Sequence, residues 1–271
     1  MHMLTVAHSP DADDAFMFYA MVTGRVECGF EVREVHADIQ TLNELALQGR
    51  YDLTAISVHA YPYVSGTYAL LTCGSSMGLG YGPVVVSREG LESLAGRRVA
   101  IPGRLTSAAL LLRLYEPSCS TVEVSFERIP EAVARGEADA GVLIHEAQLS
   151  YGELGLRKVV DLGEWWQELT SLPVPLGMNA VKRELGEEGM KEAARCLRRS
   201  IAYALEHEDE ALEHAARFGR GMSMEQLRRF VRMYVNPYTL DCGEEGRMAV
   251  ELMLSMARER GMVPEYTLEF V

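Results

Sequence analysis

"RRVAIPGRLTSAALLLRLY" occupies residues 97–115. Its first part reads as a short strand that ends in Pro-Gly. Its second part reads as a helix with a nearly continuous apolar body. Gly103 lets the chain turn sharply between them, and Thr106 or Ser107 caps the helix that follows. The same alternation continues downstream. "TVEVSF" (121–126) is a strand, "IPEAVARGEADA" (129–140) a helix closed by Gly136, and "AGVLI" (140–144) a strand that runs out at His145. Strand, helix, strand, helix, strand is the pattern of a small parallel α/β unit.

A second unit precedes it. Met3 to Ala7 reads as a strand, Asp14 to Val22 as a helix, and Phe30 to Val35 as a half-exposed strand with alternating apolar residues. Thr41 to Gln48 is a helix, with Thr41 and Asn43 as possible caps and Gly49 as its stop. "YDLTAISVHAY" (51–61) is a buried strand running into a loop, and "GPVVVSRE" (82–89) is another strong strand. Beyond the central unit, "LPVPLGMNAV" (172–181) reads as an extended return strand. Met190, Ala194, Leu197, Ile201 and Leu205 then keep the 3-4 spacing of an amphipathic helix. Two further helices are expected near Met224–Val235 and Glu245–Arg260. The expected architecture is therefore α/β with two lobes, 1–87 plus 178–271 and 88–177. Extended crossings near Val84–Arg88 and Pro173–Asn179 join them. A cleft between lobes joined in this way is a natural small-molecule site that closes by a hinge.

Bulk properties narrow the function. The 271 residues carry a formal net charge of -13, which argues against nucleic acid or an anionic membrane surface as partner. No apolar run approaches the roughly 18 residues of a membrane span, and the start lacks the pattern of a signal peptide. The 5 cysteines are an odd number without CxxC spacing. A full disulfide set and structural zinc are not expected, and a reducing cytosol fits. The C-terminal helices leave two readings open, a homodimer face or internal packing.

Ligands of α/β units gather at the carboxyl ends of parallel strands. Four loops qualify: "HSPDADD" (8–14), "ISVHAY" (56–61), "PGRLTSA" (102–108) and "IHEAQLSY" (144–151). Thr106 and Ser107 place hydroxyls and free N–H groups at a helix start, which suits an anion such as a substrate carboxylate. His145, at a strand end, is a candidate general base, because an unperturbed imidazole titrates near neutrality. His59, Tyr61 and Tyr63 are placed where they can face the cleft, and Trp165 and Trp166 read as core. His207 and His214, on a charged stretch, read as solvated.

Three patterns fail on inspection. "GSSMG" (74–78) matches GxSxG, but no helix follows the serine. "HEAQL" (145–149) lacks the second histidine of a zinc helix. A calcium loop starting at Asp11 would need Gly and Glu where Phe16 and Val22 stand. The aspartates of "HSPDADDAFMFYA" (8–20) are better read as a helix cap, from Asp11 or Asp13, and a pocket wall, from Asp14.

"AGRRVAIPGRLTSAALLL" and "AVARGEADAGVLIHE", with the two crossings, resemble the type 2 periplasmic binding protein-like fold. Within that fold "HSPDADDAFMFYA", "YDLTAISVHAY" and "GVLIHEAQLSY" resemble the 1,4-dihydroxy-6-naphthoate synthase family of the futalosine route to menaquinone, over essentially the whole chain. The resemblance implies a lyase that opens the spiro ring of cyclic dehypoxanthine futalosine, with no redox cofactor and no metal. It puts the proton acceptor on His145 and substrate-binding segments on Ala55, Ile56 and Ser57 and on Ser107 and Ala108. To these the reading of the residues adds Thr106 and Asp14. Two alternatives stay open: a chorismate dehydratase of the same pathway, and a solute-binding protein for a small carboxylate.

Overall fold

The computed structural model describes residues 2–145 and 147–271. The chain opens with β1 (His2–His8), α1 (Ala12–Val22), β2 (Phe30–His36), α2 (Ile39–Leu47), β3 (Leu53–Ser57), α3 (Tyr61–Val64), β4 (Tyr68–Leu70) and β5 (Ser76–Gly78). A second unit follows: β6 (Val84–Ser87), β7 (Arg98–Ile101), α4 (Ser107–Tyr115), β8 (Ser120–Glu123), α5 (Ile129–Ala134), β9 (Ala140–Leu143), α6 (Ala147–Ser150), β10 (Arg157–Asp161) and α7 (Leu162–Thr170). The return strand β11 (Val174–Lys182) leads into α8 (Gly186–Glu206), α9 (Glu208–Ala215), α10 (Met224–Tyr234), α11 (Pro237–Leu240) and α12 (Gly243–Glu259).

Two sheets result, one for each lobe of the α/β fold. The first has the order β2-β1-β3-β11-β4, with β5 also paired to β11, and the second has the order β10-β6-β9-β7-β8. The expected parallel core of the second lobe is present, since β7 pairs parallel with both β8 and β9. Two antiparallel strands, β6 and β10, extend it. Val84–Ser87, which the sequence reading leaves at the end of the first lobe, is thus a strand of the second sheet. The chain passes between sheets at residues 79–83 and again at 171–173, just before β11. Sequence periodicity cannot assign a buried strand such as "VVVS" to one sheet or the other, because it is apolar on both faces.

α1 explains its own composition. All of Ala12 to Met21 except Asp14 is buried, because the helix packs between β2 on one side and α8, α9 and α10 on the other. A helix covered all round needs no polar face. The buried hydroxyl of Ser200, from α8, accepts from the N–H of Met21 (2.9 Å) and donates to the carbonyl of Met17 (2.7 Å). Phe18 stacks on His8 at 4.6 Å, and truncating so enclosed a ring costs about 3–5 kcal/mol. Trp166 is fully buried in the core, where its indole N–H donates to the carbonyl of Pro173 at 3.0 Å.

Several local expectations change. α2 is capped by Asp38, whose side chain accepts from the N–H of Thr41, so neither Thr41 nor Asn43 is the cap. His214 is buried rather than solvated, tilted against Tyr19 at 5.1 Å. Cys28 and Cys196 form a disulfide with Cα atoms 5.3 Å apart, while Cys73, Cys119 and Cys242 are free. That pair, 168 residues apart in sequence, is brought to bridging distance by packing that no cysteine spacing reveals. No helix among the described residues is long and apolar enough to cross a membrane.

Candidate active site

The carboxyl ends of β1, β3, β7 and β9 converge on one pocket between the lobes, with a cavity volume of about 110 Å³. Its lining includes the residues that the sequence reading assigns to the base and to substrate binding: Asp14, Ala55, Ile56, Ser57, Thr106, Ser107, Ala108 and His145. Ile39, Ile144, Leu176 and Met178 add apolar surface, the wall type that holds a flat hydrophobic ring. Glu146, the second residue of "HEAQL", lies outside the described residues.

One wall is the start of α4. Gly103 stands where a Cβ would come within 2.3 Å of the Gln40 side-chain oxygen, so only glycine lets this turn approach the first lobe so closely. The same oxygen accepts from the N–H of Leu105 at 3.1 Å. Thr106 is the cap: its hydroxyl accepts from the N–H of Ala109 (3.2 Å) and donates to the carbonyl of Gly103 (2.7 Å). Leu110 closes the first helical turn onto the Thr106 carbonyl. The N–H groups of Ser107 and Ala108 are the two left at the helix start. The Ser107 hydroxyl donates to the carbonyl of Leu176 at 2.6 Å. The hydroxyls of Thr106 and Ser107 are therefore committed to the protein, and what this wall offers a ligand is backbone N–H and the positive helix end.

Ser57 ends β3. Asn43 holds it twice, accepting from its N–H at 2.8 Å and donating to its hydroxyl oxygen at 3.0 Å. That leaves the Ser57 O–H free to donate into the pocket. Asn43, read as a cap from sequence, is instead a fully buried clamp on the substrate wall. His59, Tyr61 and Tyr63 do not line the pocket. His59 is buried behind α4, its Nδ1 at 3.2 Å from the Thr106 carbonyl, and burial pushes it down to about 4. Tyr61 and Tyr63 donate to carbonyls near the chain end, those of Thr267 and Met262. They lie on a helical turn, Tyr61–Val64, that directs them away from the cleft, where the sequence reading expects a loop.

The opposite wall is acidic. Asp14 accepts from both the N–H (2.9 Å) and the hydroxyl (2.7 Å) of Ser9, which fixes the turn after β1. Burial raises its pKa, against the nearby His8 and the Ser9 hydroxyl, which lower it. Asp13 also lines the pocket. Its Oδ1 is buried without a partner, and burial with Asp14 and Asp11 nearby raises its pKa well above the ordinary range. Asp11 occupies the N-cap position of α1, yet neither it nor Asp13 caps the helix through its side chain. Among the described residues the aspartates form no metal-holding group. The cluster close enough to share an ion is His8, Glu34 and His36, with ligand atoms within 4.8 Å, and Glu34 already accepts from both rings at 2.9 and 3.1 Å.

His145 comes two residues after the end of β9, with φ 55°. A non-glycine residue in that region is strained, and the neighbours hold it there. With its amide oriented to satisfy its surroundings, Gln148 donates to the carbonyl of Gly82 (2.7 Å). Its oxygen accepts from the N–H of His145 (3.2 Å) and the hydroxyl of Tyr234 (2.9 Å). Gln148 and Tyr234, from α6 and α10, line the pocket without having been singled out from sequence. So does Asn179, whose amide donates to the carbonyl of Gly74 (2.9 Å) while its Oδ1 is buried and unpartnered. Polar residues inside apolar or charged runs give no local signal of facing a cleft; only the junction of the two sheets places them there.

A family model described as menaquinone biosynthesis matches residues 4–259. This chain belongs to that family. It is 45% identical to a 1,4-dihydroxy-6-naphthoate synthase of Thermus thermophilus over 262 residues, covering 97% of this chain and 96% of that protein. It is 35% identical to the enzyme of the same name from Streptomyces coelicolor over 267 residues, covering 96% and 95%. A crystal structure of an Archaeoglobus fulgidus protein superposes with TM-score 0.93 at 47% identity, covering 97% and 99%. The alkanesulfonate-binding protein of Xanthomonas axonopodis pv. citri, bound to MOPS, shares only the fold, with TM-score 0.73 at 12% identity over 99% and 96%. The family is one of enzymes, set on a periplasmic binding protein-like fold.

Proposed function

We propose that this enzyme converts cyclic dehypoxanthine futalosine to 1,4-dihydroxy-6-naphthoate, with His145 as the base. One observation carries the reading: His145 shares a pocket with the free N–H groups at the start of α4 and with an apolar slot. The substrate carboxylate is bound by the N–H groups of Ser107 and Ala108, assisted by the Ser57 hydroxyl. The aromatic ring lies along Ile56, Leu176 and Met178. A neutral imidazole nitrogen of His145 takes a proton from the substrate, and the electron pair released opens the spiro ring and expels the sugar-derived fragment. The fully buried Asn179 and the proton-bearing carboxyl of Asp13 supply an acceptor and a donor for ring oxygens. We further place the reaction in the cytoplasm, as suits an enzyme of a biosynthetic family.

Purified protein incubated with cyclic dehypoxanthine futalosine is expected to release the naphthoate, read by chromatography. His145→Ala is expected to cost about a thousandfold in kcat while remaining folded. Wild-type turnover by that variant removes His145 as base, and absence of product from the wild type removes the reaction. The likeness to sulfonate-binding proteins favours a second reading, binding without chemistry. It predicts that the same incubation returns the compound unchanged.

A further inference from the structure

We propose that Asp11 is the positioning residue of His145, reaching across the cleft from the first lobe to fix which imidazole nitrogen takes the proton. The inference rests on His145 being the base. Asp11 sits at the N-cap of α1, where an aspartate ordinarily accepts from the helix N–H groups, but its side chain makes no such bond. Both oxygens are turned elsewhere. Oδ2 lies 3.4 Å from Nδ1 of His145, and Oδ1 lies 2.9 Å from the Arg220 guanidinium. The carboxylate is nearly enclosed, with 5% of its side chain exposed against 20% for His145. A buried carboxylate that forgoes its cap for a strained histidine has another use.

The surroundings hold this arrangement from both sides. Phe126, of the second lobe, packs edge-on against His145 with ring centroids 5.0 Å apart. The Arg220 guanidinium lies over the same ring, 4.9 Å from its centroid. His145 and Arg220 are two of the three non-glycine residues with positive φ, at 55° and 45°, among the described residues. The two side chains that face Asp11 are thus both carried on strained backbone, as occurs where geometry serves function. Asp11 and Arg220 belong to the first lobe and its C-terminal helical extension, and His145 and Phe126 to the second. The Asp11–His145 contact therefore crosses the cleft, and it exists only while the two lobes are together.

The chemistry follows from the ring. A carboxylate at Nδ1 favours the tautomer that carries hydrogen there, leaving the lone pair on Nε2 for the substrate proton. At 3.4 Å the pair is longer than a good hydrogen bond, as is common for catalytic contacts without substrate.

The test combines kinetics with a direct view of the ring. Nitrogen-15 spectra of the wild type above pH 8 are expected to show His145 as a single Nδ1–H tautomer. An Nε2–H tautomer overturns the proposal without any variant. Asp11→Ala is expected to mix the tautomers and lower kcat at least tenfold with KM within threefold. Asp11→Asn, whose amide oxygen still accepts from Nδ1, is expected to recover kcat to within about threefold of wild type. An Asp11→Ala kcat within threefold of wild type, or an Asp11→Asn variant no better than Asp11→Ala, overturns it. His145→Ala separates the two claims. If that variant turns over normally, the base assignment falls. If it is inactive while Asp11→Ala is not, only the positioning role falls.

Discussion

The two walls of the pocket are built on opposite terms. The α4 wall is neutral and nearly complete: the hydroxyls of Thr106 and Ser107 are spent on backbone carbonyls, Asn43 clamps Ser57, and what is left to a ligand is two N–H groups and the Ser57 O–H. The α1 and His145 wall is charged and unfinished. It holds two aspartates, Asp13 and Asp14, a strained histidine and an orphaned carboxylate oxygen. A finished wall costs nothing to expose and binds the same group each time. An unfinished wall stores unfavourable contacts that a substrate or a proton can relieve, which suits the chemical step.

The largest effect that tests this contrast is on binding by the α4 wall. Ser107→Pro deletes the first N–H of the helix. Proline is accepted there, because the position is the first of the helix and Thr106 before it is already extended, at φ -75° and ψ 147°. A hydrogen bond to a charged partner contributes about 1.5–3 kcal/mol, so KM is expected to rise roughly ten- to hundredfold. Ser107→Ala removes only the hydroxyl already engaged with Leu176 and is expected to change KM only a few-fold. If Ser107→Ala weakens binding as much as Ser107→Pro, the hydroxyl is the binding group and the wall is not finished as described. Steady-state kinetics of the two variants decide it.

A smaller effect concerns what stands behind the finished wall. His59 braces the Thr106 carbonyl while buried and held down to about 4 from 6.5. As pH falls from 6.5, the unfolded chain takes up a proton at this position and the folded chain does not. Stability is therefore lost as pH falls through that window, by an amount on the order of 3 kcal/mol. His59→Asn, which keeps a donor towards Thr106, is expected to flatten the urea-unfolding stability between pH 6.5 and 4. A further loss from about pH 4.5 down to 2 belongs to Glu34, which hydrogen bonds from His8 hold down to about 2. An unchanged slope in His59→Asn assigns the acid sensitivity elsewhere.

The finished wall is also the legible one. Glycine, threonine and serine ahead of an apolar helix announce a turn, a cap and free N–H groups, so residues 103–108 carry their structure in local order. The four strand ends could be placed for the same reason, since alternation and apolar runs locate strands. The opposite wall could not be read to the same depth. Asp11 obeys the local rule for a cap and breaks it, because its carboxylate is drawn to Arg220 and His145, residues more than a hundred positions away. Asn43 looks like a cap and is a clamp, because β3 passes beside it. "RKVVD", an edge strand of five residues, is too short and too polar at its start to stand out. Val84–Ser87 is legible as a strand but not by sheet. What long-range pairing decides, the one-dimensional pattern leaves open.

The smallest effect is expected at Asp13, and it cuts between the two walls most finely. Burial and two neighbouring aspartates raise its pKa well above 3.8, so the folded protein keeps this proton after the unfolded chain has lost it. A group with a raised folded pKa favours folding at low pH, and that contribution is lost as pH rises through the folded value. Ionised Asp13 would be a buried charge with an unpaired oxygen, which is why the proton stays. Asparagine has nearly the same shape, one donor and one acceptor side, and no charge to lose. Asp13→Asn is therefore expected to keep kcat within about threefold and to raise Tm by a few degrees at pH 8, with a smaller gain near pH 4, where the unfolded carboxyl also holds its proton. Calorimetry at the two pH values with parallel turnover assays checks it. A variant that loses activity tenfold while gaining stability would mean that Asp13 must ionise during turnover. The unfinished wall would then hold a second proton-transfer group beside His145, and its strain would be divided between two chemical roles rather than one.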